Sequence, residues 1–288
     1  MDNFSITSQS IICSDGYTLA ATLFKPNNDI KAAILLGPAT GIKRQFYASF
    51  ASFLAQQGYG VLTFDNRGIG ESLIGNVSDS QASLQCWGEI DMPGALDTLK
   101  EFFPATSYHL VGHSAGGQLI GLMPNADQFS SMCNIASSSG QLSNMAMPYW
   151  LKAQFFMNVF IPLSNMVFGH TKSQLLGMGQ PLPKAVASQW RKWCNGQGYV
   201  KTAFGGSITT HYYDQLTLPS LWLNAIDDDI ANNKNVVDML NVFDQLPATV
   251  KTLIPQDHGL TEIGHMKFFS RKSQALWHQV TDWLALHS

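Results

Sequence analysis

The chain has 288 residues, 45% apolar and only 13% charged, with 17 basic and 20 acidic side chains for a net charge of −3. That length and hydrophobicity exclude a disulfide-stapled miniprotein and a disordered chain, which needs low hydrophobicity and high charge. No basic surplus is left to neutralise a phosphate backbone, so nucleic acid is not an expected partner.

The start, Met1-Asp2-Asn3-Phe4-Ser5, has no basic patch leading into an apolar stretch. No secretory signal is expected, and the cytoplasm is the expected location. Ile11 to Pro26 reads as two strands around the turn Ser14-Asp15-Gly16, followed by a strand at Ala32–Leu36 and a helix over Gln45–Gln57. Val61–Phe64 is a strand, and Trp87–Phe103 a helix with Ile90, Ala95, Leu96 and Leu99 on one stripe. Tyr108–Val111 is a strand, a helix opens at Gly116, and Cys133–Ala136 is a further short strand.

The alternation then stops. From Ser137 to Thr217 no strand run is visible, only helical stretches, aromatics and Gly/Pro punctuation. Within it, Met145 to Gly169 is very apolar with one charge, Lys152. Gln154, Asn158, Pro162, Ser164 and Asn165 interrupt it at helical spacing, so it reads as greasy helix packed on protein and not as a membrane span. Strand Ser220–Asn224, helix Val236–Phe243, strand Val250–Ile254 and helix Ser273–Leu286 resume the alternation. A parallel α/β sheet with a helical insertion is implied: a core of residues 1–138 and 217–288, and a cap of 139–216. Cys13, Cys86, Cys133 and Cys194 are far apart with no CxxC, so they read as buried apolar side chains.

Gly112-His113-Ser114-Ala115-Gly116 matches G-x-S-x-G and lies between a strand and a helix, where a nucleophile elbow belongs. A serine hydroxyl is a weak nucleophile and needs an imidazole base held by a carboxylate. His258 and His265 both follow the last strand; His265, just ahead of the C-terminal helix, is the better placed. The carboxylate is expected after strand Ser220–Asn224, where Asp227, Asp228 and Asp229 are adjacent. No further acid or histidine lies at a metal-binding spacing beside them, so no metal is expected.

Over nearly its whole length the chain resembles the α/β-hydrolases, and more narrowly a group of bacterial hydrolases of unassigned substrate. Asp65-Asn66-Arg67-Gly68-Ile69-Gly70-Glu71-Ser72 resembles the family's D-x-R-G-x-G-x-S stretch. Asp228 to Asn232 resembles its D-x-x-x-P loop, and Gly264-His265 its G-H. Gly37-Pro38-Ala39-Thr40-Gly41 with Phe46-Tyr47 is similar to the narrower group. The resemblance implies an α/β-hydrolase fold with a helical cap inserted late in the sheet, and a triad of Ser114, Asp228 and His265. It also implies an oxyanion hole from backbone N–H groups. Pro38 stands where many members have the glycine of His-Gly, and it has no N–H. Ala39 is then the expected donor beside Ala115, with Thr40 its rival. The implied reaction is hydrolysis of a carboxylic ester or thioester by way of an acyl-enzyme, with no cofactor. Cap residues such as Tyr149, Trp150, Phe156 and Trp190 lean the expected small-molecule substrate towards an apolar group. An acyltransferase with the same triad, or a non-catalytic binding module on the same fold, are the alternatives.

Overall fold

The computed structural model describes residues 3–288; Met1 and Asp2, part of the start read for a signal, lie outside the described residues. The strands are β1 (Phe4–Ile12), β2 (Thr18–Pro26), β3 (Ala32–Gly37), β4 (Tyr59–Phe64), β5 (Tyr108–His113) and β6 (Ser131–Ile135), then β7 (His170–Thr171), β8 (Leu182–Pro183), β9 (Ser220–Ala225) and β10 (Ala248–Leu253). The helices are α1 (Ala48–Gln56), α2 (Leu84–Cys86), α3 (Met92–Phe102), α4 (Ala115–Gln118), α5 (Tyr149–Phe155), α6 (Ile161–Phe168), α7 (Lys184–Cys194), α8 (Asn233–Leu240) and α9 (Gln274–Ala285).

One sheet runs β1-β2-β4-β3-β5-β6-β9-β10. It is parallel from β4 to β10, with β2 antiparallel to β4 and to β1. The central strands are continuous apolar runs because both faces are covered. On β3, Ala32, Ile34 and Leu36 enter a cluster with Phe50 of α1 and Trp277 of α9. Ala33 and Leu35 enter a second cluster, on the other face, with Leu96 and Leu99 of α3. Each such fully buried large side chain contributes roughly 2 kcal/mol.

Three features depart from the sequence reading. β1 reaches back to Phe4 because it pairs through its backbone while exposing most of its side chains, so no apolar pattern marks it. The helix after Ser114 ends within one turn as α4 and passes into a 3₁₀ turn, Leu119–Leu122. The Tyr213 hydroxyl and the Tyr212 N–H take the carbonyls of Gln118 and Gly121 that a longer helix would use. Between β6 and β9 a small ladder, β7 with β8, is present where no strand was expected; two residues per strand are too few to leave a period. There α5 continues through a π-helical turn, Phe156–Phe160, into α6.

Candidate active site

The loops leaving the C-terminal ends of β3, β5, β9 and β10 meet at one end of the sheet, where open α/β sheets place ligands. Ser114 follows β5 with φ 48° and ψ −113°, a left-handed backbone that costs a non-glycine residue energy. The turn closes only because glycines flank it: a Cβ on Gly116 would sit 2.0 Å from the Gly37 carbonyl oxygen of β3. The Ser114 N–H donates to the Ile135 carbonyl at 3.0 Å, tying the elbow to β6.

His265 Nδ1 lies 2.8 Å from Asp228 Oδ2, and its Nε2 lies 3.2 Å from Ser114 Oγ. A carboxylate only accepts, so Nδ1 carries the proton and Nε2 is left free to take one from the serine. Asp228 is 3% exposed. Its Oδ1 accepts from the N–H groups of Ile230 and Ala231, at 2.8 Å each. Burial pushes its carboxyl up, but His265 and those two N–H groups outweigh burial and hold it below the ordinary range. Asp229, which burial raises, makes no bond to His265. His258 is half-buried in a 3₁₀ turn, Pro255–His258, and does not line the Ser114 cavity.

Asp227 has a part that the sequence reading did not assign. Its two oxygens accept from the N–H groups of Ile263 and Gly264, at 2.9 and 3.1 Å, and so fix the loop that presents His265. His113 was likewise unassigned. It is fully buried, and its Nε2 donates to the His265 carbonyl at 2.9 Å. Its Nδ1 must then accept, from the Tyr47 hydroxyl at 2.8 Å, and the Tyr47 oxygen accepts the Ala39 N–H at 2.9 Å. Burial lowers the His113 pKa to about 3, so the ring stays neutral in this relay.

The relay corrects one expectation. The Ala39 N–H is engaged by Tyr47 and is not free for an oxyanion. The N–H groups of Thr40 and Ala115 have no acceptor among the described residues, and Thr40 lines the Ser114 cavity. The D-x-R-G-x-G-x-S stretch stays outside the reacting centre. Asp65 binds the Arg44 guanidinium and backbone, and Arg67 pairs with Asp15 and Asp91.

The Ser114 cavity, about 250 Å³, is walled by Ile42, Met178, Trp190, Cys194 and Met266 and has no acidic residue in its lining. Met178, Trp190, Cys194 and Tyr149 are shared with an adjoining cavity of about 330 Å³ beneath α5, whose other walls include Leu142, Met145 and Phe156. A serine hydroxyl hydrogen-bonded to an imidazole beside an apolar recess is an arrangement able to perform acyl transfer.

The model of the hydrolase family described as serine aminopeptidase, S33, matches residues 28–263. No curated protein matches the sequence significantly. The fold is shared with a soluble variant of monoglyceride lipase from Saccharomyces cerevisiae in complex with a substrate analogue, at 13% identity and a TM-score of 0.73, covering 100% of this chain and 97% of that one. An esterase from Pyrococcus furiosus is 14% identical with a TM-score of 0.63, covering 99% and 91%. A carboxyl esterase from Bacillus coagulans in complex with glycerol is 11% identical with a TM-score of 0.64, covering 98% and 99%. At such identities the likeness is one of fold.

Proposed function

The chain belongs to the S33 serine aminopeptidase family of α/β-hydrolases, whose model spans most of it, and we propose that it hydrolyses carboxylic esters with an apolar acyl or alcohol group. Ser114 Oγ attacks the ester carbonyl carbon while His265 Nε2 accepts its proton, and Asp228 holds the imidazole and balances the imidazolium. The N–H groups of Thr40 and Ala115 receive the oxyanion. His265 returns the proton to the departing alcohol, leaving Ser114 acylated. Water, deprotonated by the same imidazole, then attacks the acyl carbon, and as the bond to Ser114 breaks His265 Nε2 returns that proton to Ser114 Oγ, releasing the acid and restoring the neutral imidazole.

What carries this reading is the hydrogen-bonded chain Asp228–His265–Ser114 beside a recess with apolar walls. An ester fits better than an aminoacyl amide, because the lining offers no carboxylate to hold a substrate ammonium group. The acyl or alcohol chain has room in the adjoining cavity under α5. Transfer to an alcohol in place of water would use the same residues.

The test is turnover of p-nitrophenyl acetate, butyrate and octanoate. kcat/KM is expected to rise with chain length, by up to about fourfold per buried methylene, and to vanish in Ser114→Ala. Added alcohol that diverts product to a new ester would reassign the chain as an acyltransferase. Preference for an aminoacyl p-nitroanilide would overturn the ester reading.

A further inference from the structure

The continuous helix of α5 and α6 is apolar on both faces. Its inward face buries Phe156, Met157 and Ile161 in the core beside Ser164 and Asn165, which are hydrogen-bonded to the segment 170–188, Ser164 to the His170 carbonyl and Asn165 to Thr171 and Ser188. Its outward face carries Leu151, Phe155, Val159, Leu163, Met166 and Val167, each between 43% and 75% exposed. These recur at intervals of three and four residues and form one stripe. Among the described residues, ten of the 19 large exposed apolar side chains fall within residues 147–176. Scattered exposed leucines are ordinary, but a contiguous apolar stripe marks an interaction surface.

Charge says which kind. Residues 139–216 hold six basic side chains and one acidic, Asp214, for a net +5, so the rest of the chain carries −8 within its total of −3. Four of the six border the stripe. Lys152 lies on α5 itself, and Lys172 stands over the Phe168 ring at 3.5 Å. Lys184 and Arg191 line a recess with Pro162 and Met166. None of the four forms an ion pair among the described residues. The stripe also reaches the interior, because Phe155 and Lys152 line the cavity under α5 that adjoins the Ser114 recess.

We infer that this face of the cap docks on an anionic lipid surface, apolar side chains seated among acyl chains and lysines at the headgroups. An interfacial helix with an apolar face and flanking cations binds such a surface in its plane. No helix among the described residues is long and apolar enough to cross a membrane, so the association is peripheral. Docking there puts the apolar mouth of the cavity against the phase in which apolar esters dissolve. The docking surface itself does not depend on the chemistry proposed for Ser114, and its test reads binding without turnover.

The test is flotation of the whole chain with vesicles of pure phosphatidylcholine or of an equal mixture with phosphatidylglycerol. The mixture should bind at least about tenfold tighter, and that preference should fade at high salt. Leu163→Gln with Val167→Gln should weaken binding to the mixed vesicles by about tenfold. Lys152→Gln with Lys184→Gln should erase most of the anionic preference. All four positions are exposed, and circular dichroism of each variant checks the fold. No binding of the wild type to mixed vesicles, equal binding to both kinds, or variants that bind like wild type would overturn the proposal. So would a wild-type dimer dissolved by the leucine and valine changes, which would assign the stripe to a second copy.

Discussion

Tyr47→Phe removes one oxygen atom from the middle of the buried relay. The side chain is fully buried, and burial pushes its phenol far above the usual range, so the hydroxyl is always a donor. Its loss leaves two buried groups unpaired, the Ala39 N–H and the His113 Nδ1 lone pair. An orphaned buried polar group costs about 1–3 kcal/mol, so the two together should destabilise by about 2–6 kcal/mol. Tyr199→Phe is the matched contrast: that hydroxyl is equally buried but has no partner among the described residues. Its removal should leave stability within about 0.5 kcal/mol or raise it. Urea unfolding followed by tryptophan fluorescence measures both, with the midpoints compared at equal slope. The relay also sets the loop carrying Thr40, so kcat on a p-nitrophenyl ester should fall in Tyr47→Phe more than KM changes. Equal stabilities for Tyr47→Phe and wild type, or an equal loss in both variants, would refute the relay.

His265→Ala should lower kcat by about 10⁴ or more, while His258→Ala stays near wild type; steady-state assays of the pair decide which histidine is the base. Asp228→Asn should cost about 10⁴ in kcat by favouring the wrong imidazole tautomer, whereas Asp229→Asn leaves kcat nearly unchanged, and comparable losses would move the carboxylate. Burial lowers His113 to about 3 and His109 to about 4. The unfolded chain, with histidines near 6.5, therefore binds protons that the folded one refuses. Their stabilisation is whole above pH 6.5 and is lost on acidification towards 4, at about 1.4 kcal/mol per pH unit for each histidine. Urea midpoints that stay flat between pH 7 and 4.5 would contradict the neutral burial of both rings.

The central strands were legible because covering both faces leaves continuous apolar runs, as in β3 and β4. The elbow was legible because the close approach of Gly37 and Gly116 demands glycine at fixed offsets from the serine. The direction of the Ala39 N–H was not, since it is set by a hydroxyl that folds back from the start of the next helix. Asp227 looked like a redundant neighbour of Asp228, because its partners are backbone N–H groups nearly forty residues away that no side-chain pattern announces. The greasy helix does pack on protein, through Phe156, Met157 and Ile161, but an apolar run does not tell which of its apolar side chains stay outside. Hydrogen bonds of Ser164 and Asn165 to the segment 170–188 help to fix which side turns inward.

The most direct measurement is reaction of the purified chain with a fluorophosphonate probe, with the labelled residue mapped by mass spectrometry. Labelling confined to Ser114, and abolished by denaturation or by His265→Ala, is the predicted result. Folded protein that takes no label, or takes it on another serine, would contradict the assignment of Ser114 as an activated nucleophile.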